Sequence, residues 1–336
     1  MKAKVRLFCL VLVLMIALVP LAGCATSSPQ AKSTAVRVAL IMPGPISDSD
    51  WNMLGYEALQ VVAKEQEVET AYSEKIAVAD AERVAREYIA EDYNVIIFHG
   101  GQFVTATMNL AGEYPDVTFI MGSATPVPDL PPNVWNMVRR YYKGGYALGD
   151  LAARMTKTGK IGYLAGVQLP DFMAIANSVH EAAGKVDPNI EVIYSFTGDQ
   201  NDPVKARQAA DAMIAEGVDV IIDWMNAGVS GVEEAVLASD DVVLMTTFST
   251  DKHERAPERY LVSMLLDLGV PYSFMVGEIK QGKTTGVFDF EPGSGMLLSP
   301  TYNMPDGIAA SLKSLWSQLE NDEVIPTENT EKLFDQ

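Results

Sequence analysis

The stretch VRVALIMPGPISDSDWNMLGYEALQVVAK, at residues 36–64, joins an apolar, β-branched run to a Gly-Pro loop and then to a segment of helical periodicity. Val36 to Met42 has the length and composition of a buried strand, whereas Trp51 to Lys64 repeats its apolar residues at helical spacing. Glycine and proline between them fix a tight loop. This order of strand, loop and helix is the unit from which α/β folds are built.

The same unit recurs along the chain. Further strands are predicted at Asn94–Phe98, Val117–Met121, Val134–Val138, Lys160–Leu164, Glu191–Phe196, Asp219–Trp224, Val242–Thr247, Arg259–Leu265 and Gly286–Phe290. Further helices are predicted at Asp80–Ala90, Thr105–Glu113, Tyr146–Thr156, Phe172–Val186, Pro203–Glu216, Val229–Ala238, Tyr272–Lys280 and Pro305–Leu319. Such alternation indicates parallel sheets covered by helices on both faces.

Because the pattern restarts near residue 140, we predict two doubly wound parallel-sheet domains joined by a hinge of several crossings. The crossings are expected near Arg140, near Leu265 and after Phe290. The N-terminal domain is predicted to comprise residues 36–139 and about 266–285, and the C-terminal domain residues 140–265 and about 286–320. An acidic tail, 321–336, follows, and we expect it to be loosely held.

The N-terminus has the features of a secretory signal. A basic start precedes the apolar run Leu7 to Leu21, and Leu-Ala-Gly-Cys ends at Cys24. This ending resembles a bacterial lipobox, which implies a signal peptide at residues 1–23, lipidation of Cys24 and a tether at 24–35. The alternatives are an ordinary signal peptide or an uncleaved membrane helix, for which the apolar run is short, since a span needs about 20 residues.

Composition excludes several kinds of site and partner. Cys9 would leave with the signal and Cys24 would carry lipid, so the folded part would have no thiol for disulfides, zinc-thiolate sites or nucleophilic catalysis. Three basic and no acidic residues precede Cys24, which leaves 22 Lys and Arg against 44 Asp and Glu. This acidity argues against binding to nucleic acid and against docking on anionic lipid.

The residues that follow the strands are the candidate site, since α/β sheets bind ligands beyond the carboxyl ends of their strands. Aromatic and amide side chains recur there, with glycines that let the backbone approach a ligand. The candidate ligand-binding residues are Trp51, Asn52, Gly101, Phe103, Phe172, Asn201, Trp224, Asn226, Ser249 and Asp251. Taken alone, Trp51 fits a hydrophobic staple equally well, and His99 fits a half-buried, hydrogen-bonded histidine better than a metal ligand.

No catalytic or cofactor motif is present in the sequence. There is no Gly-x-Ser-x-Gly elbow, no His-Glu-x-x-His helix and no P-loop after Gly101. We therefore expect a binding protein without cofactor or metal, with hydrogen bonds and stacking directed at a small planar molecule.

Several segments resemble the basic membrane protein (BMP) family, the lipoprotein solute-binding components of ABC importers that are best known for purine nucleosides. They are Val38–Trp51, Glu113–Val117, Gly159–Tyr163, Asp187–Asn189 and Asn201–Lys205. The resemblance implies an α/β fold like type I periplasmic binding proteins, a monomer outside the cytoplasm, an ABC permease as partner, and stacking of the ligand on Trp51.

The chain departs from the nucleoside-binding pattern of that family. Met42, Ser249 and a position near Leu266 stand where family members place two acids and a lysine, groups that hold the sugar hydroxyls. The resemblance therefore favours a free purine base as ligand. The alternatives are a purine nucleoside, a surface enzyme such as a nucleoside hydrolase on the same scaffold, and a ligand sensor for a membrane receptor.

The lipid anchor is directly testable. Cys24→Ser removes the only thiol that a lipobox could modify, so the variant should be secreted or unprocessed and should no longer incorporate labelled palmitate. Labelling that persists in Cys24→Ser would show that the lipobox assignment is wrong.

Overall fold

The structure, a computed structural model, describes residues 35–48 and 50–335. The predicted signal, Cys24 and nearly all of the tether lie outside the described residues. Within the described residues, no helix is both long and apolar enough to cross a bilayer.

Strands and helices alternate throughout the described chain. The strands are β1 (Arg37–Ile41), β2 (Glu69–Ser73), β3 (Val95–Phe98), β4 (Thr118–Ser123), β5 (Val134–Arg139), β6 (Lys160–Ala165), β7 (Glu191–Phe196), β8 (Val220–Trp224), β9 (Leu244–Ser249), β10 (Tyr260–Leu266), β11 (Gly286–Phe290) and β12 (Met296–Leu298). The α-helices are α1 (Trp51–Gln66), α2 (Ala81–Ala90), α3 (Val104–Glu113), α4 (Tyr141–Met155), α5 (Pro170–Val186), α6 (Pro203–Ala215), α7 (Val229–Ala238), α8 (Gly269–Lys280) and α9 (Asp306–Glu320).

The strands form two six-stranded sheets, which confirms the predicted α/β class. The first sheet has the order β11-β5-β4-β3-β1-β2 and is parallel throughout its pairings. The second has the order β12-β10-β9-β8-β6-β7, in which only the short β12 pairs antiparallel, with β10. We call the halves built on these sheets the first and second lobes.

The central strands are apolar throughout because both sheet faces are covered. In β1, Val38 and Leu40 pack into one apolar cluster, whereas Ala39 and Ile41 pack into another on the opposite face. Successive side chains of a strand point to opposite faces, so a strand between two helical layers needs apolar residues at every position. This requirement produced the continuous runs by which the central strands were predicted.

One domain boundary was wrong by one strand. β11, which the expected boundary at residue 285 places in the second lobe, pairs in register with β5 of the first sheet, and Gly286 lies opposite Trp135. A Cβ at Gly286 would touch the Trp135 ring, so the glycine permits this close approach. The last crossing between the lobes therefore follows Phe290.

Two edge strands were not predicted. β2 has the half-exposed sequence ETAYS and lies at the edge of the first sheet, so it lacks the apolar run that marks a central strand. β12 has three residues and lies at the edge of the second sheet. Both depend on pairing with a neighbour rather than on their own pattern.

The acidic tail was expected to be loosely held, and the structure shows that this was wrong. Asn177 of α5 donates to the carbonyls of Asn329 and Lys332, at 2.9 Å each, and accepts from the Phe334 N–H. The Phe334 ring stacks on His180 at 4.1 Å. The Asn177 amide thus satisfies three backbone groups of the tail. Together with the ring contact, these hydrogen bonds hold the tail against the second lobe.

The tail also neutralises basic groups next to the crossing at residue 140. Glu328 pairs with Arg140 at 2.8 Å, and Asp322 pairs with Lys143 at 2.6 Å. The acidic residues of a segment that was expected to be loosely held thus pair with buried and half-buried cations.

Contact between helices of the second lobe yields a stability prediction. A Cβ at Gly231 of α7 would overlap the main-chain carbonyl of Pro203, whereas a Cβ at Gly184 of α5 meets nothing within 4 Å. Gly231→Ala should lower the free energy of unfolding by about 1–3 kcal/mol because backbone atoms must move. Gly184→Ala, the matched control, should raise it by about 0.5–1 kcal/mol. Urea unfolding of both variants measures the difference; equal effects would contradict this close helix contact.

Candidate ligand-binding site

A cavity of about 310 Å³ lies where the strand ends and following loops of the two lobes meet. Its volume falls in the range of about 300–1,000 Å³ that is usual for small-molecule sites. Six predicted residues line it: Trp51, Asn52, Gly101, Phe172, Asn201 and Asn226. The other lining residues are Pro43, Gly44, Gly100, Gln102, Arg139, Tyr141, Leu169, Asp171, Gln200 and Phe248.

The orientation of Trp51 is fixed by His99. The two rings are stacked, with centroids 4.2 Å apart and planes 18° from parallel. His99 Nε2 lies 2.8 Å from the Trp51 carbonyl oxygen, and Nδ1 lies 2.8 Å from the Tyr272 hydroxyl. A carbonyl can only accept, so Nε2 carries the proton and Nδ1 accepts from Tyr272. The expected hydrogen-bonded role of His99 is thus what the structure shows, with burial complete.

The loop before α1 is closed by Asp48. Its carboxylate accepts hydrogen bonds from the N–H groups of Asp50, Asn52 and Met53 at 2.9–3.0 Å. Asn52 then donates to the same carboxylate and accepts from the Gly44 N–H at 3.0 Å. Asp48 therefore satisfies the start of the helix, and Asn52, although it lines the cavity, bonds within the loop through both its oxygen and its nitrogen.

The second lobe contributes aromatic surface through Phe172 and Phe248. Trp224, a predicted ligand contact, is fully buried and does not line the cavity. Its ring stacks on Phe248 at 4.5 Å with planes 11° apart, so it supports the aromatic wall from behind. Of the residues predicted at the end of β8, Asn226 lines the cavity, whereas Trp224 lies behind Phe248 of β9.

Three further predicted contacts lie outside the cavity lining. Phe103 is fully buried beside Phe98 on the helix-covered face of the first sheet. Ser249 is 2% exposed and adopts a left-handed φ of 73°. Asp251 accepts from the hydroxyls of Ser263 and Tyr302, at 3.1 and 2.8 Å. A residue that follows a strand can turn toward the core or a neighbouring loop as well as toward the cavity, and the sequence does not distinguish these directions.

A buried ion pair that was not predicted joins the two lobes at the cavity. Arg139, the last residue of β5, donates through Nε and Nη2 to one oxygen of Asp171 in the first turn of α5, at 3.0 and 2.8 Å. The two side chains are 8% and 3% exposed. Cβ atoms at Gly101 and Gly122 would lie 3.1 and 2.8 Å from the guanidinium nitrogens, so both glycines make room for it. The only indication of this ion pair in the sequence is that both residues follow predicted strands.

A second buried ion pair also crosses between the lobes. Asp50, just before α1, lies 3.2 Å from Lys252, which follows β9, and their side chains are 3% and 5% exposed. Burial raises the pKa of Asp50, while the Lys252 charge opposes that change. The two pairs place opposite charges of the lobes in contact at separate points.

The polar lining of the cavity is electrically balanced. Among the described residues that line the cavity, only Arg139 and Asp171 are charged, and their charges neutralise each other. The remaining polar side chains are one phenol, Tyr141, and five amides: Asn52, Gln102, Gln200, Asn201 and Asn226. Within residues 35–48 and 50–335, no group of three or more His, Cys, Asp or Glu could hold a metal ion. Such a lining suits an uncharged ligand with several donors and acceptors.

Two doubly wound lobes whose strand ends line one cavity form a fold that is shared with solved solute-binding proteins of ABC transporters. The family model for PnrA-like ABC transporter substrate-binding proteins, Bmp, matches residues 35–288. The chain belongs to this family, which confirms the resemblance carried by the sequence motifs. It is accordingly a substrate-binding protein for an ABC transporter.

Two similar proteins are named for binding different ligands. A protein of Brucella abortus named purine-binding protein is 27% identical over 297 residues, 87% of this chain and 83% of that protein. A protein of Haloferax volcanii, provisionally named as a glucose-binding protein of an ABC transporter, is 26% identical over 294 residues, 86% of this chain and 73% of that protein. A solute-binding protein of an ABC transporter system from Conexibacter woesei shares the fold, with a TM-score of 0.71, 24% identity and coverage of 88% and 99%.

Burial of His99 predicts a pH dependence of stability. Burial lowers the pKa of His99 from 6.5 to about 4. Well above pH 6.5 the ring is neutral in both the folded and the unfolded state. Below it the unfolded chain gains a proton that the folded protein excludes, so His99 lowers the free energy of unfolding between pH 6.5 and about 4, by about 3 kcal/mol in all.

The measurement is urea unfolding across this pH range for the wild type and His99→Gln. The variant starts from lower stability, and its free energy of unfolding should fall less steeply with acid. Parallel curves for the two proteins would contradict a neutral, buried His99.

Proposed function

We propose that this protein binds a neutral planar heterocycle, a free purine base, and delivers it to an ABC permease. The observation that carries the proposal is the cavity lining, in which aromatic rings and five amides surround one self-neutralising ion pair. An uncharged heterocycle presents π-faces to the rings and mixed donors and acceptors to the amides. A charged ligand would lack a matching net charge in this lining.

In this proposal the ligand stacks on the Trp51 face that His99 does not cover. Phe172 provides the opposing apolar surface, and Asn201 and Asn226 address ring nitrogens and exocyclic groups. All four residues line the cavity. The His99 contacts hold the indole before a ligand arrives, so little side-chain entropy is lost on binding.

A base is preferred to a nucleoside because the expected sugar-binding groups are absent. Met42, Ser249 and Leu266 are at most 2% exposed, and none of them lines the cavity. Each ribose hydroxyl left without a partner would cost about 1 kcal/mol or more. The relative named purine-binding protein favours the same ligand class, although the relative named for glucose shows that ligand names vary among similar chains.

Three further features complete the proposal. The protein acts as a lipid-anchored monomer outside the cytoplasm, held through Cys24, and it has no catalytic activity. Binding stabilises the form in which the lobes meet around the ligand, by a hinge at the three crossings. Membership of a family of substrate-binding proteins supports the binding role, and the Leu-Ala-Gly-Cys ending at Cys24 supports the anchor.

Trp51→Ala tests the stacking. Base–aromatic stacking is worth about 1–3 kcal/mol, so the variant should bind its preferred purine about 5- to 150-fold more weakly. Titration calorimetry with adenine, guanine, hypoxanthine, adenosine and inosine gives the ranking for the wild type and the loss for the variant. Trp51→Phe, which keeps an aromatic face, is the matched control and should retain most of the affinity.

Other results would redirect the proposal. A wild-type preference for adenosine and inosine would replace the free base by a nucleoside. Loss of folding stability in Trp51→Ala without loss of affinity would reduce Trp51 to a packing residue. Product formed in excess of the protein during incubation with these compounds would show an enzyme.

A further inference from the structure

The two carboxylate oxygens of Asp171 have different surroundings. Oδ2 accepts both hydrogen bonds from Arg139. Oδ1 is buried and has no hydrogen-bond partner among the described residues, although Asp171 as a whole is only 4% exposed and forms part of the cavity wall. The structure therefore contains an unused acceptor in a residue of the cavity wall, and the carboxylate must turn slightly before a ligand can reach Oδ1.

An unused charged acceptor is costly when it is shielded from water. Buried polar atoms are nearly always hydrogen-bonded, and those that are not need a specific explanation. Asp171 is paired with the Arg139 guanidinium and lies in the first turn of α5, so positive charge faces its carboxylate from both sides. An ionised carboxylate can only accept hydrogen bonds, so the missing partner must be a donor.

We infer that Asp171 Oδ1 accepts a hydrogen bond from an N–H group on the edge of the bound ligand and selects ligands that carry it. This inference rests on the proposed binding of a planar heterocycle and adds a requirement to it. Because Arg139 already balances the Asp171 charge, a neutral ring N–H or amino group suffices as the donor. The ligands that meet this requirement are nitrogen heterocycles with an N–H donor in the plane of the ring.

Arg139 acts as a positioning residue in this arrangement. Its Nε and Nη2 atoms both donate to Oδ2, which anchors that oxygen and leaves Oδ1 free to turn toward the ligand. If Asp171 served only to join the lobes through Arg139, its replacement would weaken all ligands alike. If Oδ1 meets the ligand, the loss depends on one particular ligand N–H.

The test is titration calorimetry of wild type and Asp171→Asn with adenine, purine, N6,N6-dimethyladenine and 9-methyladenine. These analogues remove the amino group, its two hydrogens, or the ring N–H. Removal of one of these ligand N–H groups should weaken wild-type binding about 10- to 150-fold, the range for a hydrogen bond to a charged group. Asp171→Asn can keep its oxygen on Arg139 and present N–H to the ligand, so it should weaken adenine by a similar factor.

The decisive quantity is the coupling between the two changes. Asp171→Asn should not further weaken the analogue that lacks the critical N–H, and any penalty from added methyl bulk cancels in this cycle. Asp150→Asn is the matched control, because Asp150 is a largely buried carboxylate paired with Arg154 at 2.7 Å but does not line the cavity. It should show no coupling.

The outcomes separate the inference from the proposed function. Wild type that binds bases, with equal losses for all analogues on Asp171→Asn, overturns the Asp171 contact alone. Wild type that binds none of the compounds overturns the proposed ligand and this inference together. If Asp171→Asn does not fold, the wild-type series decides: losses below about 3-fold for every N–H deletion overturn the contact.

Discussion

Parallel pairing imposes the constraint on which the rest of this molecule depends. Every strand of a parallel sheet must end at the same edge, and its helix must carry the chain back across the sheet. The loops after β1, β3 and β5 of the first lobe therefore lie beside the loops after β6, β7, β8 and β9 of the second. Residues scattered from Pro43 to Phe248 meet in one cavity for this reason, and the core and the site follow from the same chain geometry.

This constraint also explains how much the sequence could predict. The central strands and most helices were located because burial on both faces requires continuous apolar runs, as in Val95–Phe98 and Val220–Trp224. Edge strands β2 and β12 were missed since their formation depends on a neighbour's exposed hydrogen-bonding groups. The position of β11 was likewise decided by pairing with β5, which no local pattern of Gly286–Phe290 reports.

The predicted site residues differ in whether their side chains face the cavity. Trp51, Phe172, Asn201 and Asn226 line the cavity as expected, because position after a strand was enough to identify them. Phe103 and Trp224 occupy equivalent positions but turn into the core. Their direction depends on packing against residues distant in the sequence.

Charge pairing was the least predictable feature of the site. Arg139 and Asp171 are 32 residues apart, and Asp50 and Lys252 are 202 apart, so no spacing rule connects them. Composition showed an excess of acidic residues but not which groups they contact. The structure instead places some acidic groups, including Asp322 and Glu328 of the tail, against the cations that lie near the lobe crossings.

The cross-lobe ion pairs have a consequence for how such a protein takes up and gives up its cargo. Removing four charged groups from water costs hydration free energy, and this cost is nearly as large as the electrostatic energy that pairing provides. These contacts therefore add little net free energy to the association of the lobes. The ion pairs nonetheless require a particular geometry, so they form together in only one relative orientation of the lobes. In the proposed hinge closure, the closed form would therefore be well defined but weakly stabilised, so that ligand occupancy decides which form prevails. A membrane partner that offered competing charges would then need only modest work to empty the protein.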